Sequence, residues 1–355
     1  MKNLKVNLVS ILLLTIAFTS CGDNEPIAII PPLDAVLENL NNGIMEGTLS
    51  EDYTLDPSIQ YRLSGSFIID ERGTLNIPGG TTIIADAGGT EVYIAVLQGG
   101  LININGNAGS PVLMSSADGA PGDWGGLTLC GKASTTAGIG ATAEVGGFVY
   151  GGSDNNDSSG IIRYLQIVGT GAQINPESQY NGISFYSVGS GTLVDNVAVI
   201  NGSDDGVEFF GGTVAVSNMY LENNDDDSID WTEGWSGSVT NAYISHTIPG
   251  FSTVFEGDKD NANPTFTNIT AISSVGGTGL QFKKESGGTI TGLHLVGYDV
   301  DLDLKDSGAL SNVQIDGATA DATLYSGETN KYKLNSGKNA APLEISKWSW
   351  ITPSF

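Results

Sequence analysis

Carboxylates dominate the residues of this sequence that could carry out chemistry. Two aspartate runs recur 22 residues apart, Asp204-Asp205 and Asp225-Asp226-Asp227. Like charges at equivalent turns repel, so a bound cation would stabilise them, and Ca²⁺ prefers carboxylate and carbonyl oxygens. The predicted Ca²⁺ ligands are Asp204, Asp205, Asp226 and Asp227. The alternative is that aspartate here only favours turns and solubility.

A carboxylate pair, Glu208 and Asp230, follows these runs at matching positions. On neighbouring strands about 4.8 Å apart, the two would suit retaining glycoside hydrolysis, in which one acts as acid and the other as nucleophile. They are candidate catalytic residues only if the protein is an enzyme. A polysaccharide lyase would instead need a base, and Lys283 or Lys305 could serve only if its pKa were lowered.

An internal repeat, clearest from residue 181 onward, positions these residues. Each unit holds a short strand with two alternate apolar positions, such as Val207 and Phe209. Side chains two residues apart share one face of a strand, so both apolar columns point inward. The two predicted inward columns are Ile183, Val207, Ile229, Thr253, Leu280, Leu302 and Phe185, Phe209, Trp231, Phe255, Phe282, Leu304.

A second strand in each unit begins at a column of asparagines. The column is Asn196, Asn218, Asn241, Asn268 and Asn312, with Gly292 replacing one member. A stacked carboxamide can donate to one coil and accept from the other, which satisfies both of its polar groups. Single repeats cannot bury a core, whereas stacked coils can. The sequence therefore predicts an all-β, right-handed parallel β-helix with three sheets and an asparagine ladder.

The residues between the inward columns must point outward. The predicted outward columns are Ser184, Glu208, Asp230, Val254, Gln281, Asp303 and Tyr186, Phe210, Thr232, Glu256, Lys283, Lys305. Aromatic rings stack on sugar C–H faces and polar groups bind sugar hydroxyls, so a polysaccharide or cell-surface glycan is the expected partner. The predicted substrate-binding residues are Tyr186, Phe210, Glu256, Gln281, Lys283 and Lys305. The alternative is a solvated face with scattered charge.

Composition excludes several classes of protein. The chain has 355 residues, of which 49 are glycine, and its 14 basic and 40 acidic residues give a net charge of -26. Such a chain repels nucleic acid, and its 40% hydrophobic content argues against disorder. Two cysteines cannot form a disulfide framework, and Cys130, in an apolar run, is expected to be buried.

The N-terminus predicts export and a lipid anchor. Lys2 and Lys5 precede an apolar run that is too short to span a bilayer. The run ends in Ser20-Cys21, which resembles the lipobox of bacterial lipoproteins, although an ordinary signal peptide is the alternative. The resemblance implies lipidation at Cys21, and the acidic residues that follow resemble a signal for display on the exterior of the outer membrane.

Three segments are expected along the chain. Residues 1–21 form the signal peptide, 22–60 a tether with a short capping helix, and 61–355 the β-helix. The irregular spacing of the upstream strands predicts an insertion near residues 131–160. The last segment, with Trp348 and Trp350, is the expected cap of the open end, because exposed edges invite aggregation.

Four motifs resemble a group of surface lipoproteins with a pectate-lyase-like β-helix. The motifs are GDWGG at 122–126, YGGSDNND at 150–157, SDDGVEFFGG at 203–212 and DDDSIDW at 225–231. The resemblance implies the fold and a surface setting but no activity, since it carries over no catalytic residues. The wider superfamily implies a glycan-facing role. We expect a polysaccharide-binding lipoprotein, and the alternative is a polysaccharide lyase or glycoside hydrolase; no protein partner is indicated.

Overall fold

Three columns of parallel strands wind along the chain. The computed structural model describes residues 33–175, 178–306 and 308–351, so the predicted signal peptide and the predicted lipidation site Cys21 lie outside the described residues. One helix, α1 (Leu33–Asn41), precedes the strands, and short 3₁₀ turns lie at Gly89–Glu91, Leu310–Asn312 and Ile345–Lys347. Within these ranges no helix is long and apolar enough to cross a membrane.

The strands of the first half of the chain are β1 (Ile44–Leu49), β2 (Asp52–Thr54), β3 (Gln60–Ile69), β4 (Thr74–Pro78), β5 (Thr82–Ala85), β6 (Ile94–Val96), β7 (Leu101–Asn105), β8 (Val112–Ser116), β9 (Leu127–Cys130), β10 (Ala141–Thr142), β11 (Val149–Tyr150), β12 (Gly160–Val168), β13 (Gln173–Asn175) and β14 (Ser178–Gln179). Those of the second half are β15 (Ile183–Tyr186), β16 (Leu193–Ile200), β17 (Val207–Phe210), β18 (Ala215–Glu222), β19 (Asp227–Thr232), β20 (Ser238–His246), β21 (Thr253–Asp258), β22 (Thr265–Ser273), β23 (Thr278–Lys283), β24 (Gly288–Val296), β25 (Val300–Asp303), β26 (Val313–Ile315), β27 (Ala318–Thr319), β28 (Ala322–Leu324) and β29 (Lys331–Leu334).

The front sheet, as we name it, consists of β6, β9, β15, β17, β19, β21, β23 and β25, each paired in parallel with the next. The other two sheets share long strands that bend in the middle; the first halves of these strands form the second sheet and their second halves form the third sheet. In β12, for example, the first half pairs with β7 and the second half with β8. Three parallel sheets around a single apolar core confirm the predicted parallel β-helix.

The core of the front sheet follows the predicted inward columns except at one coil. Ile229 pairs with Phe255 rather than with Thr253, so β21 is displaced by two residues from the predicted alignment. Gly257 then lies opposite Trp231, whose indole comes within 2.7 Å of the position that a Cβ on residue 257 would take. The bulk of Trp231 therefore requires a glycine here, which apolar periodicity alone did not reveal.

An asparagine ladder marks the bend between the second and third sheets. Asn218, Asn241 and Asn268 have φ values of 56°, 60° and 57°, and Gly292 continues the bend with φ 72°. This left-handed backbone suits asparagine and glycine. Asn268 Nδ2 donates to Asn241 Oδ1 at 3.1 Å, and Asn241 Nδ2 to Asn218 Oδ1 at 2.9 Å. The predicted ladder is confirmed over these coils.

The ladder ends differently from the prediction on both sides. Asn218 Nδ2 donates to Asp195 Oδ1 at 2.7 Å, so a carboxylate takes the acceptor role beside Asn196. Asn312 was expected to resume the column, but Gly288 pairs with Val313, which places Asn312 before the strand and far from the bend. Asn312 Nδ2 instead donates to the Glu285 carbonyl, so its inclusion in the ladder was wrong.

The two ends of the solenoid are covered by different elements. Helix α1 packs Val36 and Leu40, both fully buried, onto the first coil. Strand β1 already pairs with β3, so the β-helix begins at Ile44, inside the segment predicted to be a tether. At the other end, β29 pairs antiparallel with β25 and β28 and ends the parallel stacking.

The C-terminal segment does not cap the end, contrary to the prediction. Trp350 lies against the outside of the third sheet, packed on Ile200, Tyr220 and Tyr243. Its carbonyl accepts a hydrogen bond from Gln166 Nε2 at 2.7 Å. The reason is that the third sheet presents a row of outward aromatic side chains, and a tryptophan-bearing tail buries them.

Replacement of Asn241 tests the ladder. Asn241→Ala removes both ladder hydrogen bonds and places alanine in left-handed backbone, which should lower the free energy of unfolding by about 2 to 3 kcal/mol. Asn241→Gly keeps the backbone conformation and loses only the bonds, so about half that loss is expected. Urea denaturation of both variants measures the difference; an alanine variant as stable as the parent would contradict a structural role for the ladder.

Candidate functional site

A row of polar side chains runs along the outer face of the front sheet. Strand pairing places Ser184, Glu208, Asp230, Glu256, Gln281 and Asp303 in one register. Glu208 and Asp230 are therefore neighbours, as predicted. Glu256 joins their row instead of the adjacent column, because of the two-residue displacement of β21. Val254, expected in this row, is buried in the core.

The carboxylates of this row meet those of the preceding turns. Three sets of carboxylate oxygens each lie within 4.8 Å of one another: Asp204, Asp205 and Asp226; Asp205, Glu208 and Asp230; Asp227, Asp230 and Glu256. We call these seven residues the acid site. All four predicted metal ligands belong to it, but they are divided between its two ends, with the predicted catalytic pair between them.

Hydrogen bonds fix the orientation of several acid-site carboxylates. The backbone N–H of Asp227 donates to Asp205 Oδ1 at 2.9 Å, which links adjacent coils. Thr253 Oγ1 donates to Asp227 Oδ1 at 2.6 Å, and Asn181 Nδ2 donates to Glu208 Oε2 at 2.6 Å. The site is thus built into the backbone register and does not depend on flexible surface side chains.

Burial makes the negative charges of the acid site costly. It is the largest cause of the raised pKa of Asp205, Glu208, Asp227 and Asp230, and the neighbouring carboxylates add to it. Burial, and then the charge of Asp226, raises the pKa of Asp204 to about 7. For Asp227, the charges of Glu256 and Asp226 are the causes next after burial that raise the pKa. The site therefore stabilises either bound protons or a cation.

One lysine of the predicted set reaches the acid site. Lys283 lies two coils along from Asp230, and its ammonium forms an ion pair with Glu256. Burial alone would lower the pKa of Lys283, but the bond to Glu256 and the nearby carboxylates raise it. The condition for Lys283 to act as a base, a lowered pKa, is therefore not met. Lys305 is exposed and lies outside the acid site.

Two buried oxygens at the site have no hydrogen-bond partner among the described residues. They are Asn181 Oδ1 and Asp230 Oδ1. Asn181 is only 4% exposed, and its amide nitrogen already contacts Glu208, so its oxygen lies beside the carboxylates. A buried acceptor without a partner is costly, and a cation would satisfy it. Asn181 was not among the predicted site residues, although the repeat aligns it with Asp205 and Asp227 of the following coils.

The predicted aromatic binding face is covered. Tyr186 and Phe210 stack with ring centroids 4.0 Å apart, but they are only 1% and 5% exposed, so the expectation of open stacking surfaces was wrong. The residues between β9 and β12, which we call the insertion, form a hairpin of β10 and β11 over them. Tyr150 on this hairpin lies with its ring centroid 5.0 Å from that of Tyr186.

The insertion was predicted from its irregular spacing, but its contacts were not. Tyr150 OH donates to Glu233 Oε2 at 3.0 Å, and Thr135 Oγ1 donates to the same oxygen at 2.7 Å. Glu144 of the insertion adds its charge to the causes that raise the pKa of Glu208. These residues, 83 to 98 positions apart in sequence for the Glu233 contacts, meet only because the insertion folds back.

Gln281, a predicted substrate-binding residue, lies in the polar row of the front sheet. It is nearly buried, and its Nε2 donates to Asp303 Oδ2 at 3.3 Å.

Cys130 is buried as expected, and burial raises the pKa of its thiol to about 12. It has no disulfide partner among the described residues.

A solenoid of parallel coils with a carboxylate row along one outer sheet is the architecture of a pectate-lyase-like β-helix protein. The sequence matches the family described as pectate-lyase like beta helix domain over residues 47–348, and the chain belongs to that family. The crystal structure of PfbA, a surface adhesin of Streptococcus pneumoniae, aligns with 86% of this chain and 94% of that chain at 13% identity and a TM-score of 0.24. No curated protein matches the chain.

The acid site should make the protein less stable as pH rises. A carboxyl group whose pKa is raised by folding stabilises the folded state at low pH, and this stability is lost as pH rises through the folded pKa. Because the pKa of Asp204 is about 7 in the folded state against an ordinary value of 3.8, the unfolding temperature should fall by several degrees as the pH rises from about 4.5 to about 7.5 and should then level off.

Asp204→Asn should flatten this dependence and raise the unfolding temperature at the higher pH. Glu344→Gln, which removes the same charge from an exposed surface ion pair, is the matched control and should leave the slope unchanged. Differential scanning calorimetry measures both. A slope identical in the parent and Asp204→Asn would contradict the electrostatic description of the site.

Proposed function

We propose that this protein is a lipid-anchored protein of the outer membrane that binds polysaccharide at its front sheet with the help of Ca²⁺. The observation that carries the proposal is the acid site: among the described residues its seven carboxylates have Lys283 as an ion-pair partner, and the buried oxygens Asp230 Oδ1 and Asn181 Oδ1 have no hydrogen-bond partner. Such a site favours a divalent cation because the cation replaces several costly protons at once.

The ligand chemistry supports calcium among the common cations. Every atom offered as a metal ligand is an oxygen, either a carboxylate oxygen of the acid site or the neighbouring Asn181 Oδ1. Ca²⁺ takes six to eight oxygen ligands in irregular geometry. Glu208 and Asp230 retain partial exposure, so a cation held between them would present open coordination positions to solvent. Those positions are where a saccharide hydroxyl or carboxylate would bind.

The shape of the row supports a chain-like ligand. Glu208, Asp230, Glu256, Gln281 and Asp303 continue over five coils spaced by about 4.8 Å, which gives a polar strip of about 19 Å. The net charge of -26 opposes an acidic polysaccharide, and a bound cation would offset that repulsion locally. The proposed partner is therefore a polysaccharide that binds through cation-bridged oxygens.

Calcium binding is tested by titration calorimetry on the full chain at neutral pH. We expect heat of binding and a rise in unfolding temperature below about 10 mM Ca²⁺, with at least tenfold weaker binding in Asp230→Asn. Glu344→Gln, an equal change of charge outside the site, should bind as the parent does. Absence of any heat or thermal shift would refute the cation site.

Polysaccharide binding is tested by affinity electrophoresis against neutral and acidic polysaccharides, with and without Ca²⁺. Retardation that requires Ca²⁺ and disappears in Asp230→Asn is the expected result. Retardation that is the same in EDTA, or equal in Asp230→Asn and the parent, would refute binding through a cation bridge. The calcium titration would still show whether the acid site binds Ca²⁺ without polysaccharide.

A second function, glycoside hydrolysis, is favoured by the register of Glu208 and Asp230. Their carboxylate oxygens lie within 4.8 Å, and the raised pKa of both would keep one protonated as general acid while the other attacks the sugar. Release of reducing ends that is abolished by Glu208→Gln and by Asp230→Asn would establish it. A lyase is disfavoured because the pKa of Lys283 is raised.

The lipid anchor is tested separately. Cys21→Ala should prevent acylation, so the protein should move from the outer-membrane fraction to the soluble fraction and should no longer incorporate labelled palmitate. Cys130→Ala, which changes the buried cysteine, is the matched control and should remain in the membrane. Membrane retention of Cys21→Ala would point to an ordinary signal peptide and another means of attachment.

A further inference from the structure

A cavity of about 610 Å³ lies beside the insertion, next to the cluster that covers the aromatic pair. Its walls come from the turns that follow β3 and β6 and from residues 147–149 of the β10–β11 hairpin, and its lining includes Glu71, Arg72, Leu97, Gln98, Phe148 and Val149. The volume falls within the range of small-ligand pockets. None of these residues belongs to the acid site.

One wall of the cavity is apolar and held in place. Phe148 is half-buried and meets the ring of Tyr93 edge-on at a centroid distance of 6.1 Å, which fixes the orientation of its ring. Val149, in strand β11, is 54% exposed and turns an aliphatic side chain to the cavity. With Leu97, these residues form an apolar surface next to solvent.

The opposite wall carries planar polar groups. Arg72 Nη2 donates to Asp70 Oδ2 at 3.0 Å, and the other N–H groups of this exposed guanidinium remain available to a ligand. Gln98 Nε2 donates to the carbonyls of Gly131 and Gly151 at 2.8 and 3.1 Å. These bonds fasten the base of the insertion and at the same time fix the Gln98 side chain, so the cavity is preformed.

The charge of the cavity is balanced, in contrast to the acid site. Asp70 and Glu71 line the cavity together with Arg72, and Lys132 lies nearby, with its ammonium 3.2 Å from the position a Cβ on Gly99 would take. In a chain with 14 basic residues and 40 acidic ones, one cation in the cavity wall and a second beside it are a local exception. A neutral ligand fits this balance better than an anion or a cation does.

We propose that this cavity is a second binding site, for a neutral saccharide, which operates without a cation. A half-buried aromatic ring in a cavity with carboxylate and guanidinium groups and the Gln98 carboxamide oxygen suits a sugar, since the ring packs on C–H groups while the polar groups bind hydroxyls. The proposal is independent of the acid site, because neither the residues nor the ligand charge are shared.

Saturation-transfer NMR on the full chain in EDTA tests the proposal with a panel of short linear neutral gluco-, manno-, xylo- and galacto-oligosaccharides. We expect transfer to ring C–H protons of at least one of them, reduced at least tenfold in Phe148→Ala. Val149→Trp, a change at an exposed position that fills the cavity, should have the same effect and guards against misfolding of the first variant. Ile139→Ala is the control, since Ile139 is 80% exposed on the same insertion and does not line the cavity.

Glu208→Gln and Asp230→Asn should bind the oligosaccharide as the parent does, which separates this site from the proposed calcium-dependent one. Absence of transfer from the whole panel, binding that survives in both cavity variants, or binding that vanishes in EDTA would each overturn the proposal. Displacement of the sugar by unrelated extended peptides would also count against it, because it would identify the cavity as a peptide site.

Discussion

The in-register stacking of parallel coils is the constraint on which the rest of this structure depends. Stacking at about 4.8 Å brings each side chain next to its equivalents above and below. Inside the solenoid, this places Phe185 and Phe209 in a stack with centroids 5.2 Å apart, and at the bend it joins the carboxamides of Asn241 and Asn268. On the outer face, the same spacing places the like-charged side chains of Glu208 and Asp230 side by side. One geometric rule therefore makes the core and the ladder favourable and the acid site unfavourable.

The unfavourable part is confined to a short stretch of the front sheet. The acid site combines burial with repulsion between like charges, and a single lysine, Lys283, forms an ion pair within it. A buried carboxylate elsewhere has its charge compensated: Asp301, which is nearly fully buried, forms ion pairs with Lys338 and Lys333 at the end of the solenoid. The fold can thus neutralise a buried aspartate with lysines, yet the acid site is left under-compensated. That contrast is the physical reason to regard it as a binding site.

The insertion gives the outer face its functional shape. Without it, Tyr186 and Phe210 would form an open aromatic surface beside Glu208, as the repeat alone predicts. The hairpin buries that surface under Tyr150 and is fixed by bonds to Glu233. Phe148 of the same insertion is half-buried against this cluster and lines the neighbouring cavity. The same segment therefore covers one aromatic surface and supplies another aromatic side chain.

The sequence by itself determined the repeating geometry: three sheets, the asparagine bend and the pairing of Glu208 with Asp230. Periodicity reports these features because they depend on neighbours at a constant offset in each coil. It could not report the displacement of β21, which arises from Trp231 filling the space of an adjacent coil, or the path of the tail that carries Trp350. Those features and the burial of Phe210 were decided by the tertiary structure, since they depend on contacts that have no fixed spacing in sequence. The repeat aligns Asn181 with Asp205, but only the tertiary structure shows that its oxygen is buried without a hydrogen-bond partner.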